Sequence, residues 1–171
     1  MTIALVLLSV IMAIVVGWLV RKTLHTAPWV EQRDQIEPGL LRFIEATLKN
    51  PPTRFVQAWV DRLAWWQHPR AFFERYDLLL TPTVACPPFP LGLDYPGEVA
   101  GKTVVPYGWI PYTYPFNLTG QPAASVPCGF TRDGLPIGLQ IVGRRFDDVT
   151  VLRAAAAFER ARPWANARPG L

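Results

Sequence analysis

Apolar residues follow several different patterns along this chain. From Thr2 to Val20 they run without a single charge, and the run stops at Arg21-Lys22. Roughly 20 residues rising about 1.5 Å each cross a bilayer's hydrocarbon layer, so this stretch reads as a candidate single transmembrane helix over 2–20. Trp18 stands near its basic end, where an amphipathic ring suits the interface. Arg21 and Lys22 favour the cytoplasmic side, which anchors the protein in a membrane with its C-terminal part in the cytoplasm. A cleaved signal peptide is the rival reading, but Met1-Thr2-Ile3 lacks the basic start of such peptides. A buried helix is another, as is a stretch that reflects only where translation was taken to start. That last case leaves the protein cytoplasmic.

Residues 21–35 form a polar connector, and the segment 36–171 carries the periodic patterns. Leu41, Ile44 and Leu48 recur at helical spacing between Pro38, which suits a first helical turn, and Asn50-Pro51-Pro52, which stops it. Thr53 is placed to cap a second helix, with Val56, Val60 and Leu63 along one face beside Trp59 and Trp66. His68-Pro69 should kink or end that helix, and a further turn through Phe72-Phe73 leads to Tyr76-Asp77.

Leu78-Leu79-Leu80 then reads as a short strand buried on both faces, cut off by Pro82. The segment Thr81–Ala123 holds nine of the 18 prolines, interleaved with Tyr95, Tyr107, Trp109, Tyr112, Tyr114 and Phe116, and shows no period. A loop of that length is expected to line a cavity or to pack on a larger scaffold. Strands follow around Ala124–Val126 and Ile137–Val142, and the Asp133-Gly134 turn signal between them marks a hairpin. Asp147-Asp148 suits the positive end of a helix over Val149–Ala161, closed by Pro163.

Composition narrows the chemistry. The formal charge of +4 comes with arginines spread along the chain and no dense basic stripe, so no nucleic-acid partner is expected. Cys86 and Cys128 are the only cysteines, too few for a disulfide framework and suited to a reducing compartment. With His25 and His68 the only histidines, no metal-ligand cluster can be built, and no cofactor is expected.

Four segments occur in a telling order. They are Phe73-Glu74-Arg75-Tyr76-Asp77-Leu78-Leu79-Leu80-Thr81-Pro82-Thr83, the stretch from Phe116-Asn117-Leu118-Thr119-Gly120-Gln121-Pro122-Ala123 to Phe130, Ile137-Gly138-Leu139-Gln140-Ile141-Val142-Gly143, and Phe146-Asp147-Asp148. Over about residues 33–171 they resemble the C-terminal part of the amidase-signature family. The resemblance implies an α/β fold: an incomplete C-terminal portion of a large domain whose mixed sheet is covered by helices. It also implies hydrolysis of carboxamides, in which a serine attacks the carbonyl while a cis-serine and a neutral lysine relay its proton. Backbone N–H groups of a Gly-rich loop hold the oxyanion in that chemistry.

Those catalytic groups are missing from the inventory. Ser9 and Ser125 are the only serines, there is no Ser-Ser or Gly-Gly pair, and Lys22, Lys49 and Lys102 match no family catalytic position. No catalytic residue is therefore assigned, and the chain alone is expected to be inactive. Ser125 reads as a strand serine, because neither Ala124 nor Val126 offers a base. Cys86 and His68 make an unsupported thiol–imidazole pair, and Cys128 reads as a small buried residue.

Candidate pocket residues are Trp109, Tyr112, Tyr114, Asn117 and Gln140. The aromatics could line an apolar acyl or aryl pocket or simply pack under the loop. The amides of Asn117 and Gln140 could bridge loop and sheet or touch substrate. Trp109-Ile110-Pro111 lacks the acidic residue that the resemblance would place there to grip glutamine, which favours an apolar amide. Two readings remain. In the first, the chain is the C-terminal fragment of an amidase whose catalytic part is encoded elsewhere or has been lost; a separately encoded catalytic segment could partner it, and it meets a small amide only when so complemented. In the second, it is a membrane-anchored, non-catalytic pseudoenzyme or interaction module.

Overall fold

The computed structural model describes Val15, Trp18, Leu19, Lys22 and residues 32–167. The expected transmembrane helix over 2–20 thus lies almost wholly outside the described residues. Among those described, no helix is long and apolar enough to cross a membrane. The chain divides into two compact units, Met1–Ala64 and Trp65–Leu171.

In the first unit a 3-10 turn, Arg33–Gln35, precedes helix α1, Pro38–Leu48. Proline occupies the first turn as expected, where its missing N–H costs nothing. The cap itself is Glu37, whose carboxylate accepts from Gly39 N at 2.8 Å and Leu40 N at 2.7 Å. A carboxylate there satisfies two orphan donors and meets the positive end of the helix. Asn50 closes α1 by donating from backbone and side chain to Thr47 O, at 3.0 and 3.1 Å.

Helix α2, Pro52–Phe73, starts at Pro52, one residue before the expected cap Thr53. Within the first unit Trp59 stands edge-on to Phe55 with centroids 6.4 Å apart, and Arg62 lies 4.8 Å over its ring. The anticipated apolar face is largely uncovered, with Val60 and Leu63 both exposed.

The second unit begins with the last turns of α2. Pro69 does not end the helix but lies inside it. A proline removes one hydrogen bond and clashes with the carbonyl four residues back. Here the turn beyond it is held by burial of Phe73, 3% exposed, and by the edge-on packing of Phe72 against it at 5.2 Å.

Strands β1 (Leu78–Pro82), β4 (Ala123–Phe130) and β5 (Pro136–Gly143) form one sheet in the order β1-β5-β4. Both pairings are antiparallel, so the described portion shows none of the parallel pairs expected of a mixed sheet. The hairpin between β4 and β5 is where the Asp-Gly signal put it, though both strands are longer than expected. β1 is less buried than its leucines suggest: Leu80 is 57% exposed, because nothing among the described residues covers that side. Between Pro127 and Gly129 the β4–β5 register shifts, leaving Cys128 as the extra, half-buried residue of a bulge. Proline cannot donate to the ladder, and such irregularities are where sheets tolerate it.

The segment between β1 and β4 is not a structureless loop. Strands β2 (Glu98–Val99) and β3 (Lys102–Thr103) form a small hairpin. Ala100 and Gly101 make its turn with φ of 51° and 76°, the left-handed pair that matches strand twist. Helix α3, Tyr114–Thr119, opens with Pro115 and closes on Gly120, whose φ of 74° lets its N–H reach Phe116 O at 2.7 Å.

Helix α4, Asp148–Ala161, is capped by Asp147, which accepts from Thr150 N at 3.3 Å. It lies across β4 and β5, where Val126, Ile141 and Val151 form the core with Ala154, Ala155 and Phe158 against them. The contact is tight enough that a Cβ at Gly143 would stand 2.5 Å from Val151 Cγ2. Gly143→Ala is therefore expected to destabilise the chain by about 1–3 kcal/mol through overpacking. Chemical denaturation of the two proteins checks this, and an unchanged midpoint would refute the tight contact.

Candidate functional site

A concavity of about 340 Å³ opens in the second unit between the end of α2, β1, the segment before α3 and α3 itself. Phe72, Phe73, Leu79, Pro111 and Phe116 make its walls almost wholly apolar, and His68, Thr81, Tyr112 and Thr119 add a few polar groups. Few polar groups in an apolar hollow are what orient a small uncharged ligand.

The wall is set from behind by Gln140. That residue is 4% exposed on β5, and its Nε2 donates to Thr81 Oγ1 at 2.9 Å and to Tyr112 O at 2.7 Å. An amide nitrogen carries two protons. Both are therefore used in tying the proline-rich segment to β1 and β5. Thr119, 3% exposed, is fixed in the same way within α3 by donating to Pro115 O at 2.9 Å.

The expected pocket residues do not all meet. Tyr112 lines the concavity and Gln140 holds it in place. Trp109 instead lines a second hollow of about 600 Å³ together with Cys86 and Phe89, whose ring stands edge-on to it at 5.3 Å. Tyr114 is 45% exposed and Asn117 is exposed on α3, and neither lines either hollow. Asn117 thus bridges no buried groups, unlike Gln140. Sequence reasoning missed Thr81, Thr119 and the Phe72-Phe73 pair as wall residues. Thr81 and Thr119 both fall inside the motif segments, so the order of the motifs was the signal that could have found them.

No nucleophile is assembled among the described residues. Ser125 Oγ lies 2.7 Å from Thr83 Oγ1, and the two hydroxyls serve each other rather than a base. Cys86 and His68 line different hollows.

These elements and their order make a partial α/β fold, and comparison with known proteins gives the family. A profile of the family described as Amidase matches residues 29–152, and the chain belongs to that family. An acylamidase of Rhodococcus erythropolis is 36% identical over 143 residues, covering 82% of this chain and 30% of that protein. A component of the glutamyl-tRNA(Gln) amidotransferase of Geobacillus stearothermophilus is 46% identical over 99 residues, 58% of this chain and 19% of that protein. Among solved structures, a bacterial aryl acylamidase of the amidase-signature enzymes superposes with a TM-score of 0.71 at 34% identity. The match covers 93% of this chain and 34% of that one. The chain thus spans about a third or less of the length of these relatives.

Gln140→Ala would leave Tyr112 O and Thr81 without their buried donor. Stranding such groups costs about 1–3 kcal/mol. The expected result is a loss of that size in unfolding free energy, with faster amide hydrogen exchange in residues 109–113. Unchanged exchange there would show that the amide does not hold the segment.

Proposed function

We propose that this chain supplies part of the substrate-binding wall of an amide hydrolase, while the nucleophile, its proton relay and the oxyanion loop come from a segment outside it. On this reading the chain alone is catalytically inert. The observation that carries it is the pairing of a built apolar concavity with the absence of any base-partnered hydroxyl among the described residues. Membership of the amidase family supplies the reaction class.

The substrate class is an amide with an apolar acyl or aryl group. Support comes from the apolar walls around Phe72, Phe116 and Tyr112 and from relatives named acylamidase and aryl acylamidase. The amidotransferase component is a relative too, but Trp109-Ile110-Pro111 carries no carboxylate for an amino-acid amine.

Complementation tests this. The full chain is co-expressed with the Rhodococcus erythropolis acylamidase from which the matching 30% has been removed. Neither piece alone is expected to hydrolyse an anilide, and together they should. Hydrolysis by this chain alone would contradict the reading, as would silence of the pair when the two demonstrably associate.

A further inference from the structure

We propose that a third hollow, which shares only Phe73 with the apolar one, binds a phosphate-class dianion. It encloses about 250 Å³ on the second unit, and Arg70, Arg144 and Arg145 line it with Glu74, Gln121 and Trp66. Three guanidiniums face one carboxylate, so the site carries a formal excess of positive charge that a dianion would balance.

Each guanidinium is already oriented. Arg144 Nη2 donates to Phe73 O at 2.7 Å, which ties it to the C-terminal end of α2 and leaves its other N–H groups for a ligand. Arg70 lies 6.0 Å from the Trp66 ring centroid, with its Nε 3.8 Å from Glu74 Oε1 and its Nη1 3.4 Å from Gln67 Oε1. Arg145 lies 4.6 Å over the ring of Phe146. Phe146 itself has a φ of 68° and is 83% exposed, an unusual backbone for a bulky residue.

Guanidinium forks match the spacing of phosphate oxygens and can each give two parallel hydrogen bonds, which a lysine cluster could not. The close approach of Arg145 to the Phe146 ring and the bond from Arg144 to Phe73 O remove part of their freedom in advance, so less is lost on binding. The ligand is therefore defined by its phosphate group, either as the free ion or as a phosphomonoester.

The test is equilibrium dialysis of the full chain at fixed ionic strength with inorganic phosphate and, separately, glycerol 3-phosphate. Saturable binding on the order of a millimolar is expected for at least one of them, the tighter one identifying the source. R70Q and R145Q should each weaken it roughly tenfold, the loss of one charge-assisted contact. R145K, which keeps the charge but not the fork, should fall between, and R153Q on the exposed side of α4 should bind as the parent does. Far-UV circular dichroism identifies any variant that fails to fold. No saturable binding of either probe would overturn the proposal, as would equal affinity in R70Q, R145Q and the parent.

Discussion

Gln140, Ile141, Val142 and Gly143 are four consecutive buried residues on β5, and the rest of the second unit depends on them. Successive residues in a strand point to opposite faces, so an unbroken buried run requires cover on both. Ile141 faces α4 through Val126 and Val151. Gln140, on the other face, meets the proline-rich segment and binds it through two hydrogen bonds. β1 and β4 take the two edges. The apolar concavity is a consequence of this arrangement: its wall stands where the Gln140 amide fixes Tyr112 and Thr81.

The same arrangement stops short of closure. Among the described strands, β1 and β4 each leave an outer edge unpaired, and Leu80 and Ile137 are exposed beside them. Open edges invite pairing with another chain or segment. Buried apolar side chains among the described residues number only five, Phe73, Val126, Ile141, Val142 and Val151. Relatives nearly three times as long offer a simple source for the missing cover under the proposed reading.

Much of this was legible in the sequence where a local rule decides the outcome. The β4–β5 hairpin followed from alternation and an Asp-Gly turn, α4 from Asp147-Asp148 and Pro163, and α1 from Pro38. The misreadings came where local and tertiary signals compete. Pro69 was expected to kink or end the helix; the helix runs past it to the buried Phe73. The leucines of β1 looked buried on both faces because the pattern reports what a strand could bury, not what is there to bury it. In the proline-rich segment the short hairpin at Ala100-Gly101 and helix α3 are too brief to show a period. Pro115 and Gly120 nevertheless mark the two ends of α3. For the site, Gln140 stands in a motif and Tyr112 came from the aromatics of the proline-rich segment, but no pattern could separate Trp109 into another hollow or place Asn117 at the surface. Those depend on how the segment folds back.

Under the proposed function, the apolar concavity is the wall that a substrate touches. The most direct test is the steady-state kinetics of Phe116→Ala in the complemented enzyme, with an anilide as substrate. Losing an apolar contact made equally in ground and transition states should raise KM by about 10–100-fold and leave kcat nearly unchanged. An unchanged KM, with Phe116→Ala folded and associated, would mean that substrate binds elsewhere and would contradict the proposed role of this wall.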